Sequence, residues 1–341
     1  MTHFRNEDAL VKEIARHFLP TRGQKLRLGI GDDAALWKPK PGFVTILTSD
    51  WFLEGSHFLR EQHAPDSAGW KCLVRAASDI AAMGGWPRCF LLNLALPADA
   101  TGKWLKSFLG GLRRAARSLD CVLAGGDTTQ SKRILISITV IGEIREGQEV
   151  PRSGARPGDL LYVSGTLGEA EHGLRFLRKS RGQANTRNEV MRKHLYPQPR
   201  LELGRWLAER KLATAMMDVS DGLSSDLPRL CAASGVGALL DPGKLPLPRG
   251  ISPDSARQLA LHGGDDYELL FTISPRNAAR IPAMFRKLRL AQIGEITRGR
   301  SVQIIGKDGA CELLSAAGWD PFRQKNQRQA ENKRPHHKPV N

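Results

Sequence analysis

The chain has no C-x-x-C pair, and its five cysteines, Cys72, Cys89, Cys121, Cys231 and Cys311, are widely scattered and odd in number. That pattern argues against a disulfide framework and against a structural zinc site. No apolar run approaches the roughly 20 residues that span a bilayer. The opening MTHFRNEDALVKEIARHFLP mixes charges of both signs and lacks the continuous apolar stretch of a signal peptide. A cytoplasmic protein without a membrane partner is expected. Also missing are the G-x-x-x-x-G-K-[ST] phosphate loop, the third glycine that would make GIGDDA a dinucleotide fingerprint, G-x-S-x-G and H-E-x-x-H.

What is present describes an ordinary globular protein. Of the 341 residues, 41% are hydrophobic and 25% charged, and 34 glycines with 20 prolines imply many tight loops. The length suits two domains. A net charge of +16 would suit an anionic partner such as nucleotide, nucleic acid or an acidic membrane. Much of the excess, however, sits in residues 175–200 and 323–341, which are polar and poor in aromatics. These read as solvated, mobile segments, and a nucleic-acid partner is not expected.

Apolar residues at Leu10, Val11, Ile14, Ala15 and Phe18 predict a helix that stops at Pro20. FVTILTSDWF and CFLLNLALP read as strands flanking a helix that Asp66 or Ser67 would cap and Gly84, Gly85 and Pro87 would end. KWLKSFLGGLRRAARSLD is amphipathic, CVLAGGDTTQS reads as a strand with its loop, and RILISITVIGEI as a strand. After PRSGARPGD a second set begins. LLYVSGTLGEAEHGLRFL reads as strand, glycine turn and helix, and ATAMMDVSDGLSSDLPRLCAAS as strand, acidic turn and helix. Strands then follow in LALHGGDDYELLFTIS, AQIGEIT and SVQII. This predicts a mixed α/β fold of two domains, 1–145 and 146–322, followed by the basic tail 323–341.

Acidic turns are the chemical feature. They are GDD at 31–33, TSD at 48–50, SD at 78–79, GGD at 125–127, DVSD at 218–221 and GGDD at 263–266. Adjacent carboxylates such as Asp32 and Asp33 disfavour each other's charge and call for a cation nearby. Asp is a favoured turn residue, so any one of these is explained by turn chemistry. Six in one chain also suit Mg²⁺, which takes about six oxygen ligands shared among carboxylates, water and substrate phosphate. On spacing alone an ion pair with Arg75, one turn earlier, explains Asp79 better than a metal does. VSGTLGEAEHG could offer helix N–H groups to phosphate, although a plain glycine turn explains it more simply.

Taken in order, GIGDDAAL, TSDWFLEGSHF, SDIAAMGGWP, GGDTTQS, RSGARPGD, VSGTLGEA, MMDVSDGLSSDL, GGDDYELLFT and GWDPF resemble the thiamine-monophosphate kinases, from about residue 5 to 322. The resemblance implies a two-domain architecture like that of the aminoimidazole-ribonucleotide synthetases, with N-terminal domains paired into a homodimer. It implies direct in-line transfer from ATP to thiamine monophosphate, giving thiamine diphosphate and ADP, with several Mg²⁺ ions. The implied metal ligands are Asp33, Thr48, Ser49, Asp50, Asp79, Asp127, Asp218 and Asp221, with Asp32 beside them. Asp50, Asp127 and Asp221 would carry the catalytic role, Gly126, Asp127, Arg152 and Ser220 would meet ATP, and His57, Asp265 and Trp319 would meet the thiamine substrate.

The chain departs from that pattern at Ala76, where asparagine is usual, at Asp265, where GGED has become GGDD, and at Pro228, which is expected to interrupt its helix. Two alternatives follow. A sister ATP-dependent synthetase, of the selenophosphate or hydrogenase-maturation type, would in the selenophosphate case want a reactive Cys near the N-terminus, whereas the earliest here is Cys72, inside a predicted helix. A non-catalytic relative would use the charge to bind nucleic acid.

Overall fold

In the first half, α1 (Glu7–His17), β1 (Leu26–Leu28), β2 (Leu36–Trp37) and β3 (Phe43–Leu53) precede α2 (Pro65–Ala82). β4 (Trp86–Leu96), α3 (Lys103–Ser118), β5 (Val122–Gln130) and β6 (Leu135–Arg145) complete it. The computed structural model describes residues 7–18, 26–30, 33–180, 188–306 and 308–322, so Asp32, Pro20 and the 323–341 tail lie outside the described residues. β3, β6, β4 and β5 form one sheet in that order. The β4–β5 pair is parallel, with α3 as its crossover, and the other pairs are antiparallel. On β3 the two-residue period buries Phe52 on one face and leaves Leu47 (70%) and Trp51 (59%) exposed on the other.

The second half runs β7 (Leu160–Ser164), α4 (Glu169–Lys179), α5 (Glu189–Leu195), α6 (Leu201–Glu209), β8 (Ala213–Val219) and α7 (Leu223–Ser234). It ends with β9 (Gly237–Leu240), α8 (Pro253–His262), β10 (Glu268–Ile273), β11 (Met284–Phe285), β12 (Leu288–Thr297), β13 (Val302–Ile305) and β14 (Cys311–Leu313). Its sheet is ordered β14-β13-β9-β12-β7-β10-β8, with β11 on β12, and within it β9–β13 is a parallel pair. The mixed α/β architecture expected from the sequence is therefore present, in two sheets with separate cores. Leu73, Ile80, Phe90, Phe108 and Ile138 fill one core, and Leu161, Met217, Leu227, Leu270 and Ile293 the other.

Several local expectations are corrected. Ala64 is the N-cap of α2 and Pro65 opens it, because proline suits a first turn whose N–H groups lack partners. Asp66 instead binds Arg114 and Tyr196, and Ser67 Oγ donates to the Ala64 carbonyl. GGDTTQ is part of β5 and not a loop after it. α7 runs through Pro228, held by buried Leu223, Leu227 and Leu230 on either side of the missing N–H. Within the basic stretch 175–200, residues 175–179 and 189–195 are helical, since Leu177, Met191 and Leu195 bury one another and Asn188 caps α5; residues 181–187 lie outside the described residues.

α2 connects the two halves. Thirteen of its 18 residues are buried, yet Lys71, Arg75, Ser78 and Asp79 recur at helical spacing as a polar stripe. Lys71, 1% exposed, donates to Asp265 Oδ2 at 2.8 Å and to His194 Nδ1 at 3.2 Å, both in the second half. Lys71 Nζ also lies 3.4 Å from His194 Nε2, which meets His63 Nε2 at 3.0 Å, and His63 Nδ1 lies 3.1 Å from both the amide and the carbonyl of Leu59. Burial, then the Lys71 charge, push His63 down to about 4 and His194 well below its ordinary value.

Two predictions follow from this packing. An added Cβ at Gly111 would lie 1.8 Å from the Asp66 carbonyl where α3 crosses α2, whereas one at Gly110 meets nothing within 4 Å. Gly111→Ala should therefore destabilise by about 1–3 kcal/mol, and Gly110→Ala should stabilise by roughly 0.5–1 kcal/mol. Thermal unfolding of the two variants should shift in opposite directions. For His63, the folded pKa of about 4 lies below the unfolded value of 6.5. Its contribution is therefore complete above pH 6.5 and lost as pH falls toward 4. Urea unfolding of wild type and His63→Gln should show wild type losing relative stability in that window by up to ~1.4 kcal/mol per pH unit. A difference independent of pH would contradict the neutral buried ring.

Candidate active site

Between the two sheets lies a cavity of about 540 Å³. Asp50, His57, Asp79, Asp218, Ser220, Asp221, Asp265 and Trp319 all line it, so eight predicted residues from five sequence motifs converge on one space. Asp50 shares the inner face of β3 with Thr48 and Phe52. Asp79 is on the α2 stripe, Asp218 near the end of β8, and Ser220 and Asp221 in the turn entering α7.

Carboxylates dominate one side. Ser78 Oγ donates to the buried Asp218 at 2.7 Å, and Thr48 Oγ1 donates to Asp79 at 2.5 Å. Burial, reinforced by Asp79, pushes Asp218 up to about 7. Burial also raises Asp79 and Asp50, with Arg75 opposing the shift at both and Asp79 adding to it at Asp50. Arg75 approaches Asp50 at 3.8 Å and not Asp79, so the ion pair that spacing favoured gives way to a hydrogen bond from Thr48. Arg152, on the segment between β6 and β7, adds positive charge near Asp79.

Buried carboxylates in excess of nearby cations suit a divalent ion. Among the described residues no three acidic, histidine or cysteine side chains form a ready-made cage. This donor set fits Mg²⁺ held by one or two carboxylates together with substrate phosphates, as that ion usually is.

The DVSD turn is built by a residue that sequence reading passed over. Asp226 accepts the Ser220 and Asp221 amides at 3.0 Å each and binds Arg229, which also pairs with Asp221. The Trp319 backbone N–H donates to the Asp221 carbonyl at 2.8 Å, which docks the GWDPF segment on this turn and leaves the indole half-exposed in the cavity.

On the other side, burial and the Arg75 charge push His57 down to about 4, so its ring is neutral; Nδ1 accepts the Leu53 amide at 3.0 Å. Asp265 is clamped by Lys71 and by Tyr267 Oη at 2.6 Å. Burial opposes its charge, yet Lys71 and Arg75 hold the carboxyl well below the usual range. Asp265 and Tyr267 both have left-handed backbone, φ +68° and +53°. For tyrosine this is a strained conformation of the kind that concentrates at binding sites.

Lys71, His63, His194 and Tyr267 were missed by sequence reading. A lysine and an arginine at i and i+4 in a helix of small apolar residues were the available signal. The helix-start question also resolves: the Gly168 and Ala170 amides that open α4 are taken by the Asp266 carboxylate, at 2.5 and 3.0 Å. VSGTLGEA is thus a turn closed by the protein's own acid.

Other predicted residues lie outside the cavity lining. Ser49 Oγ meets Thr139 Oγ1 at 3.0 Å on the open face of the sheet. Gly126 and Asp127 are on β5, three strands from β3. Gly126 has φ +149°, and an added Cβ would lie 1.8 Å from the Leu92 carbonyl, which accounts for glycine there. Asp33 is exposed on the loop between β1 and β2.

Two family models match the chain: AIR synthase related protein, N-terminal domain, over residues 31–144, and AIR synthase related protein, C-terminal domain, over 156–307. Thiamine-monophosphate kinase of Escherichia coli (strain K12) is 36% identical over 319 residues, covering 91% of this chain and 97% of that protein. The crystal structure of thiamine-monophosphate kinase from Stenotrophomonas maltophilia K279a superposes with a TM-score of 0.79 at 37% identity, covering 90% of this chain and 98% of that one. AaThiL complexed with AMPPCP and TMP superposes with a TM-score of 0.72 at 32% identity, covering 93% and 97%. Fold, cavity and sequence agree, and the chain belongs to the AIR synthase related proteins and, among them, to the thiamine-monophosphate kinase family.

Proposed function

We propose that this protein transfers the terminal phosphoryl group of ATP to thiamine monophosphate, forming thiamine diphosphate and ADP. The observation that carries the reading is the cavity that joins Asp50, Asp79, Asp218 and Asp221 to His57, Asp265 and Trp319. The acceptor is a phosphate monoester with a second pKa near 6, largely dianionic at pH 7. It needs no strong base, and direct in-line transfer chiefly requires alignment and relief of repulsion between two polyanions. Asp50, Asp79, Asp218 and Asp221 would hold Mg²⁺, with Asp33, Thr48, Ser49 and Asp127 as further candidate ligands. When bound, Mg²⁺ neutralises charge on the phosphates and orients them. Asp50, Asp127 and Asp221 are the proposed catalytic acids.

Ser220, Gly126, Asp127 and Arg152 are proposed to meet the nucleotide. Trp319 would stack on the cationic thiamine rings, a contact of about 0.5–2 kcal/mol. His57, kept neutral, adds no repulsion toward that cation. Asp265 is already committed to Lys71 and Tyr267, so its reach to substrate is set by the backbone and the clamp as well as by side-chain length. The boundary near residue 145 is proposed to separate an ATP- and Mg²⁺-binding dimerisation domain from the second α/β domain. The selenophosphate-type alternative finds no support in the cysteines: Cys72 is buried inside α2 and burial pushes its thiol up. Among the described residues no helix is long and apolar enough to cross a membrane. A cytoplasmic site of action suits the proposed substrates.

A homodimer through the first sheet is part of the proposal. Leu47 and Trp51 stand exposed on its open face, where apolar side chains of this size call for a covering partner. The Leu47→Glu/Trp51→Glu double variant should sediment as a monomer where wild type sediments as a dimer. Purified protein should form thiamine diphosphate from thiamine monophosphate and ATP only with Mg²⁺, and Asp50→Asn should lower kcat by at least about 100-fold. Product formed equally well by Asp50→Asn would remove the acidic cluster from the mechanism. A phosphorylated enzyme trapped during turnover would exclude direct transfer.

A further inference from the structure

Among the described residues, Arg75 has no hydrogen-bond partner at Nε. It lines the cavity, its guanidinium lies 5.6 Å from the centre of the Phe52 ring, and that Nε is buried. Its approach to Asp50 is a loose 3.8 Å. A buried donor without an acceptor is costly, and native structures rarely keep one without a reason.

The surroundings say what kind of acceptor would suit it. Asp50 approaches it at 3.8 Å, and Asp221, Asp265 and Tyr267 line the same cavity within electrostatic reach. Arg75 therefore shares its space with both the carboxylates proposed to face the nucleotide phosphates and the groups proposed to face the organic part of the acceptor, at the boundary between the two substrates. In-line transfer requires the acceptor's own phosphate at that boundary. The other cations in or beside the cavity are committed or peripheral. Lys71 is bound to Asp265 and His194, Arg175 to Glu171 at 2.8 Å, and Arg178 is exposed on α4. A planar guanidinium also matches phosphate oxygens in a way that an ammonium does not.

We infer that Arg75 binds the phosphate monoester of the acceptor and sets the preference for phosphorylated over unphosphorylated thiamine. This specificity role rests on the proposed kinase reading. The test is calorimetric binding of thiamine monophosphate and of thiamine, with Mg²⁺ and AMPPCP present, to wild type, Arg75→Met and Arg75→Lys. Arg75→Met should weaken thiamine monophosphate about 10- to 100-fold, the scale of a lost charged hydrogen bond. Its thiamine affinity should stay unchanged, which also reports an intact site. Arg75→Lys should fall between, and the KM for thiamine monophosphate should rise in step while that for ATP holds. An unchanged ratio of the two affinities in Arg75→Met would overturn the assignment and leave the kinase reading standing. Equal loss of both ligands would reduce Arg75 to a brace for the cavity wall. Wild type that binds neither ligand would overturn the kinase reading itself.

Discussion

An ammonium group taken wholly out of water must be paired, and Lys71 of α2 finds its carboxylate on the other half of the molecule. Much of the site depends on that contact. The pair sets the position of Asp265, whose other oxygen holds Tyr267, and stands beside the linked His194 and His63 rings, which burial and the Lys71 charge keep neutral. The same helix, one and two turns further on, presents Arg75 and Asp79 to the cavity. A single buried helix thus carries the clamp, the loosely paired Arg75 and one of the cluster acids at fixed separations.

The two sides of the cavity are electrostatically unlike. Where carboxylates outnumber cations, burial raises the pKa values of Asp50, Asp79 and Asp218 and the site is short of positive charge, which suits metal-bound phosphate. Where Lys71 and Arg75 stand, Asp265 is held ionised and His57 is kept neutral. On the proposed reading, a substrate with a cationic ring system and a dianionic phosphate would meet a carboxylate and an indole at one part and a guanidinium and metal ligands at another, so that charge distribution, more than shape, would order the two polyanions for transfer.

Much of the fold was legible because periodicity is a local property. The inner and outer faces of FVTILTSDWF, the amphipathic KWLKSFLGGLRRAARSLD and the strand-turn-helix around DVSDG follow from two-residue and 3.6-residue repeats. The errors arose where a neighbour overrode local preference. Asp66 looked like a cap and instead binds Arg114 and Tyr196; GGDTTQ looked like a loop and is drawn into β5 by pairing with β4. Pro228 looked like a break, yet buried leucines keep α7 continuous. The basic stretch around 175–200 looked mobile, although Leu177, Met191 and Leu195 form a buried cluster and His194 and Tyr196 tie it to α2.

By itself the sequence determined the α/β class, the two-part organisation, the run of acidic turns and, through their order, the family. These depend on residue type and spacing along the chain. Tertiary structure decided which turns meet. It brought Asp50, Asp79, Asp218 and Asp221 together, left Asp127 three strands away in the same chain, gave Asp79 to Thr48 and kept Arg75 without a hydrogen-bonded partner at Nε. Distances between segments far apart in the chain come from how sheets and helices pack. No one-dimensional pattern carries the burial that raises one carboxylate and the clamp that lowers another.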